Sequence, residues 1–321
     1  MSQPEQKPAV PPLLVLLGGI LAVSAASIFI RYAQVYAPSL VIAVYRLVLA
    51  SLFLAPLAYW RYREELRSLC LRDLRLALLS GLFLALHFAT WITSLEYTSV
   101  ASSVVLVATA PLWVALLSPF TLREPVSRAV LVGMLLALVG GMGIGLSDSC
   151  NWQAGGLVCP PLGDFISGEA FIGNILALAG ALMAAAYILI GRSLRSKMTL
   201  IPYIFVVYSM AAIVLVLLMF AAGQSPSGYP APAYGWFLLL AVVPQLLGHS
   251  SFNWALRYLS AAYVSIALLG EPVGSTILAY FLLRETPASL KIFGAILILA
   301  GIYIASRSEA RQPAQDLRET S

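Results

Sequence analysis

At 321 residues, 60% hydrophobic and 10% charged, with a mean hydropathy of +0.90, the chain carries more apolar surface than a soluble domain of this size can hide. Its net charge of +5 would suggest nucleic acid only if the basic residues shared one soluble face, and most of them lie instead between apolar runs. A soluble domain and a nucleic-acid binder are both excluded.

Apolar runs long enough to span a bilayer, about 20 residues each, are read at 13–34, 38–60, 74–95, 99–121, 128–147, 168–191, 201–222, 234–256, 260–282 and 288–305. The expected fold class is all-α integral membrane, ten transmembrane helices. The expected layout is a cytoplasmic N-terminus (1–12), a first repeat (13–147), an outside loop (148–167), a second repeat (168–305) and a cytoplasmic tail (306–321). Span 1 is longer than the h-region of a cleaved signal peptide, and cleavage would spoil the repeat. With the N-terminus inside, Lys7, Arg61, Arg63, Arg67, Arg72, Arg75, Arg123, Arg128, Arg192, Arg195, Lys197, Arg257, Arg307, Arg311 and Arg318 all fall inside. Against them stand Arg31, Arg284 and Lys291, so both termini are expected in the cytoplasm. Short loops lean toward a bacterial inner membrane.

Span 2 carries Arg46 near its middle, where an ionisable group facing lipid is costly. It could hold a substrate carboxylate, pair with another buried group, or bond helix-end carbonyls. In span 3, Phe83, His87, Thr90, Trp91 and Ser94 fall on one helical face. In span 4, Pro111 lacks an N–H and clashes with the carbonyl of Val107, predicting a break. Glu124, followed by Pro125, reads as an interfacial helix-start residue. Span 5 is rich in glycine, which suits close packing or a dimer face, so monomer and homodimer both stay open. Cys150 and Cys159 in the outside loop could close a disulfide or stay free, and their spacing fits no metal site.

In span 8, Gln245, His249, Phe252 and Asn253 recur at i, i+4, i+7 and i+8, a second polar and aromatic stripe. Such faces orient a small amphipathic solute or serve as hydrogen-bond glue between helices. Span 9 holds Glu271 directly before Pro272, whose ring predicts a break at the Leu268 carbonyl. A carboxylate at that depth would cost about 2.5–3.5 kcal/mol against lipid, so it faces protein or a wet cavity. It is a candidate proton carrier, a partner for a substrate amine, or a brace for the broken helix. Glu285 repeats the helix-start role of Glu124.

Moved forward by 161 residues, Ser94–Gly145 lies without a gap on Ala255–Ser306, matching Leu95, Tyr97, Pro111, Leu122, Arg123, Glu124, Gly133 and Gly140 to identical residues. An odd number of spans per copy inverts the second, the arrangement by which many secondary transporters alternate access. The run Thr109-Ala-Pro111 to Leu122-Arg-Glu124, Gly133 and Gly140, its second copy from Gly270 to Gly301, and Arg46 in Tyr45-Arg-Leu47 resemble the repeat of the EamA family in the drug/metabolite transporter superfamily. The resemblance implies two five-span repeats and transport of a small solute, amino acids, sugars, nucleobase-like metabolites or drugs among them.

Together these readings lead to a secondary transporter, an exporter of a small polar or amphipathic metabolite by alternating access, with proton coupling as an option. The expected substrate-binding residues are Glu271, Arg46, His87, Trp91, Gln245, His249 and Asn253; Pro111 and Pro272 are the helix breaks. The partners are a small solute, membrane lipid and protons, with no cofactor, no metal and no nucleic acid. An integral-membrane enzyme or sensor is the alternative, and neither a nucleophile pattern nor a phosphate-binding loop supports it.

Overall fold

The computed structural model describes residues 8, 10–123, 126–149, 151–153, 156–158, 168–284 and 289–309. The first half comprises α1 (Pro12–Ser24), α2 (Ala26–Gln34), α3 (Ser39–Arg61), α4 (Arg63–Ser68), α5 (Leu71–Tyr97), α6 (Val100–Val107), α7 (Ala110–Thr121) and α8 (Arg128–Ser149). A small antiparallel ribbon follows, β1 (Asn151–Gln153) against β2 (Gly156–Val158). The second half comprises α9 (Glu169–Arg195), α10 (Leu200–Ala221), α11 (Ala231–Leu240), a π-helix (Ala241–His249), α12 (Ser250–Ala255), α13 (Ala261–Ala267), α14 (Gly270–Leu282) and α15 (Ser289–Glu309). Among the described residues seven helical stretches are long and apolar enough to cross a membrane. The ribbon and α4 escaped the hydropathy reading because neither is an apolar run. Glu124, Glu285, Cys150 and Cys159 lie outside the described residues; Cys70 is a free, exposed thiol.

Local chemistry sets the helix ends. Proline opens α1 and stands in the first turn of α11, where its missing N–H removes no intrahelical bond. The Ser260 hydroxyl accepts the Tyr263 N–H at 3.1 Å and caps α13. Glu65 on α4 reaches across to Thr199, accepting its N–H at 2.7 Å and its hydroxyl at 2.6 Å, which caps α10 from outside. After α7 and α14 the chain turns through Arg123 (φ 58°) and Arg284 (φ 57°), left-handed residues that the 161-residue shift superimposes. A residue in that conformation just past a helix satisfies its last carbonyls, and here both halves use arginine where glycine is the rule.

The helices pack in a pattern that survives exchange of the halves. Helix α8 packs along α15, α3 along α10, and α5 along α9, while α1 packs against the π-helix and α12, the counterparts of that last pair. Helices α5 and α9 run antiparallel. Near the start of α9, Gly173 lies against the Ser94 carbonyl, and the Thr98 hydroxyl donates to Asn174 at 3.3 Å, both at the finish of α5. With 27 residues α9 is about 40 Å long, so Arg195 stands at the opposite end of the bundle. Glycine permits a close backbone approach: a Cβ at Gly81 of α5 would lie 2.6 Å from the Val207 carbonyl of α10. Large apolar side chains are exposed in rows, Leu131, Leu135, Val139 and Met142 on α8 and Ile292, Ile296 and Leu299 on α15. Rows of this size belong against hydrocarbon.

Candidate functional site

Two broken helices meet inside the bundle. Between α6 and α7 the chain leaves the helix at Ala108 and Thr109, just ahead of Pro111; between α13 and α14 it does so at Leu268 and Leu269, just ahead of Pro272. The Leu268 carbonyl that the proline frees accepts the Glu271 N–H at 2.9 Å, a tightened turn in place of the helical bond. Both breaks border a cavity with an empty volume of about 790 Å³, its open mouth included. Pro111 lines it; Pro272 is buried but does not.

Of the expected site residues, Arg46, His87, Trp91, His249, Asn253 and Glu271 line this one cavity, and Gln245 does not. The helical stripe placing Gln245 beside His249 assumes a 3.6-residue period. The stretch Ala241–His249 is instead π-helical around Pro244, and the Ser250 N–H reaches back to the Gln245 carbonyl. The wider turn rotates Gln245 out of phase, and it is fully buried. Its Oε1 accepts the Arg46 Nε–H at 2.8 Å. Arg46 thereby finds a neutral partner and not Glu271: the two line the same cavity without forming an ion pair.

Arg46 is wholly buried, and its guanidinium lies 4.1 Å from the centroid of the Phe88 ring, a favourable cation–π position. Its Nη1 and Nη2 have no hydrogen-bond partner, and neither do Trp91 Nε1 and Asn253 Oδ1. Buried polar groups are rarely left so. Three donors and one acceptor are therefore unspent around one cavity. Glu271 stands in the first turn of α14, where the helix N-terminus favours a carboxylate, and among the described residues its side chain has no hydrogen bond or ion pair, so it stays available.

The rest of the wall is aromatic and held by bonds outside the cavity. His87 Nδ1–H donates to the Gly180 carbonyl at 2.9 Å, which in the neutral ring leaves Nε2 as an acceptor. Its ring stacks on Trp91 at 5.7 Å and lies 6.5 Å from that of His249. Asn253 Nδ2 donates to the His249 carbonyl at 2.8 Å and to the Tyr187 hydroxyl at 2.5 Å. Tyr187, Tyr208 and Phe88 were not singled out from sequence. A tyrosine in an apolar span reads as an interfacial anchor, and nothing local shows that these hydroxyls converge on Asn253 from α9 and α10. Among the described residues, no group of three His, Cys, Asp or Glu could hold a metal ion.

Comparison with known proteins identifies the family. The EamA-like transporter family matches residues 10–146 and again residues 171–307. An uncharacterized transporter of Archaeoglobus fulgidus is 28% identical over 246 residues, covering 74% of this chain and 80% of the relative. The pseudopaline exporter CntI of Pseudomonas aeruginosa is 24% identical over 299 residues, covering 91% of this chain and 96% of the exporter. A crystal structure 17% identical superimposes with a TM-score of 0.71 over 94% of this chain and 98% of that one, a likeness of fold. With both halves matched, and with relatives that are named transporters and not enzymes, this multi-span membrane protein is a transporter and belongs to the EamA-like transporter family.

Proposed function

We propose that the protein is a secondary transporter of ten spans in two inverted repeats, with both termini in the cytoplasm of a bacterial inner membrane, that exports a small amphipathic solute carrying a carboxylate and an amine. One observation carries this reading: two unpartnered Arg46 nitrogens and the free Glu271 carboxylate border the same cavity without pairing to each other. A carboxylate bridging Arg46 Nη1 and Nη2, with Trp91 Nε1 as a third donor, fills the donors left open. An ammonium fits Glu271 and Asn253 Oδ1. The rings of His249 and Phe252 pack against the apolar part of the solute. Amino acids and related metabolites have this pattern. The exporter direction is supported by the likeness to CntI.

Glu271 is also the proton carrier of this scheme, releasing its proton as the cargo amine arrives. Alternating access then consists of the two halves rocking about the breaks ahead of Pro111 and Pro272. The test is flux of a labelled amino-acid panel in proteoliposomes, with and without an imposed pH gradient. The gradient is expected to accelerate flux several-fold in the native protein and not at all in Glu271→Gln. A Glu271→Gln protein with full gradient-driven flux removes the proton role, and a panel with no transported member bearing a carboxylate overturns the substrate reading.

A further inference from the structure

The 161-residue shift relates two hydrogen-bonded clamps at opposite ends of the bundle. At one end, Gln34, the last residue of α2, donates from Nε2 to the Ile92 carbonyl of α5 at 3.1 Å, and to the Ser39 hydroxyl at 2.9 Å. At the other, Arg195, the last residue of α9, donates from Nε to the Asn253 carbonyl of α12 at 2.9 Å, and from Nη1 to the Met198 carbonyl. Gln34 matches Arg195 and Ile92 matches Asn253 under the shift. One helical turn earlier the donors match again but the acceptors do not correspond: Arg31 donates to the Thr98 carbonyl at 2.9 Å, and its counterpart Arg192 donates to the Leu256 carbonyl at 2.8 Å.

These bonds join the helices that must part. Ala26 precedes the first clamp and Trp91 lies beside it; Tyr187 and Ile188 precede the second, and Asn253 and Leu256 belong to it; all six line the cavity. A path wide enough for cargo from the cavity to one side of the membrane needs the pair at that end to separate. The clamps differ in charge. Arg195 is 1% exposed and charged, and takes the Asn253 carbonyl at the finish of α12 together with the Met198 carbonyl just before α10, whereas Gln34 is neutral. Charge-assisted hydrogen bonds are roughly twice as strong as neutral ones.

We propose that these are the two gate latches of the carrier, that one breaks in each half of the cycle, and that the arginine at position 195 biases the empty carrier toward closure at the α9–α12 end. This rests on the alternating-access reading above. Under the topology given there, the biased state is closed to the cytoplasm and open outside, so an exporter returns by breaking its stronger latch.

The test uses spin-label pairs in nanodiscs, with Cys70, Cys150 and Cys159 replaced by serine. Labels at positions 196 and 258 report the α9–α12 end, and labels at 36 and 97 report the α2–α5 end, read by double electron–electron resonance. Arg195→Gln is expected to raise the population of long α9–α12 distances about tenfold, the difference between a charged and a neutral bond, while the α2–α5 distances shorten or hold. Gln34→Ala is expected to do the reverse. Unmoved distributions in both variants, or lengthening at both ends together in either one, overturn the proposal. If Arg195→Gln does not fold, Gln34→Ala decides alone: an unchanged α2–α5 distance sinks the latch assignment. Neither readout requires the cargo, so failure of the flux panel leaves this test standing.

Discussion

Arg46→Met is expected to lower affinity for a carboxylate-bearing cargo by at least about a hundredfold and to stop its transport. Each hydrogen bond to a charged group contributes about 1.5–3 kcal/mol, and the substitution removes two unpartnered donors from the cavity wall. The competing explanation is collapse of the bundle, since Arg46 also bonds Gln245 and stacks on Phe88. Methionine keeps an apolar stem against the ring, and sulfur–aromatic contact is favourable. Removing a buried charge relieves its desolvation, whereas orphaning Gln245 Oε1 costs about 1–3 kcal/mol. The double variant Arg46→Met with Gln245→Leu removes that orphan. Thermal unfolding in detergent should place it at or above the single variant, while cargo binding by calorimetry stays lost. Binding restored by the double variant would show that the guanidinium is a strut and not a ligand.

Gly81→Ala is expected to destabilise the protein by about 1–3 kcal/mol, and Gly81→Leu to prevent recovery of folded protein, as overpacking at a site with no room does. The added Cβ would meet the Val207 carbonyl and the Met210 Cβ, each at 2.6 Å, so that α5 and α10 must separate. A carbonyl in the backbone of a packed helix cannot swing aside as a side-chain end can. Gly18→Ala is the control. It lies in α1 with nothing within 4 Å of its Cβ position, and alanine there is worth up to about 1 kcal/mol in helix propensity. Opposite shifts of the unfolding midpoint for the two glycines are the expected result. A neutral Gly81→Ala would mean that the α5–α10 contact is looser than it stands here.

The polar residues show where reading along the chain stops. Arg46 and Glu271 stood out in the sequence because each is an expensive group in an apolar run, a property of one residue and its neighbours; His87, Trp91, His249 and Asn253 stood out as polar and aromatic stripes at helical spacing, and all six line one cavity. The breaks ahead of Pro111 and Pro272 were legible as the consequence of a missing N–H. Gln245 was read on the wrong face because its span changes period around Pro244, and no local signal distinguishes a π turn from an α turn. Tyr187 and Tyr208 were passed over because a hydroxyl in a span has meaning only through its partner on another helix.

From sequence alone come the membrane class, the twofold repeat and the list of ionisable groups at depth, since hydropathy, gapless self-similarity and desolvation cost act over a single span. The tertiary structure decides which of those groups face one another. Arg46 meets a residue 199 positions away, Gln245, and not the carboxylate of Glu271 that charge alone would choose. The π turn over Ala241–His249 shifts Gln245 off the face its spacing predicts and toward Arg46, and a change of helical period of that kind is not readable from residue spacing alone.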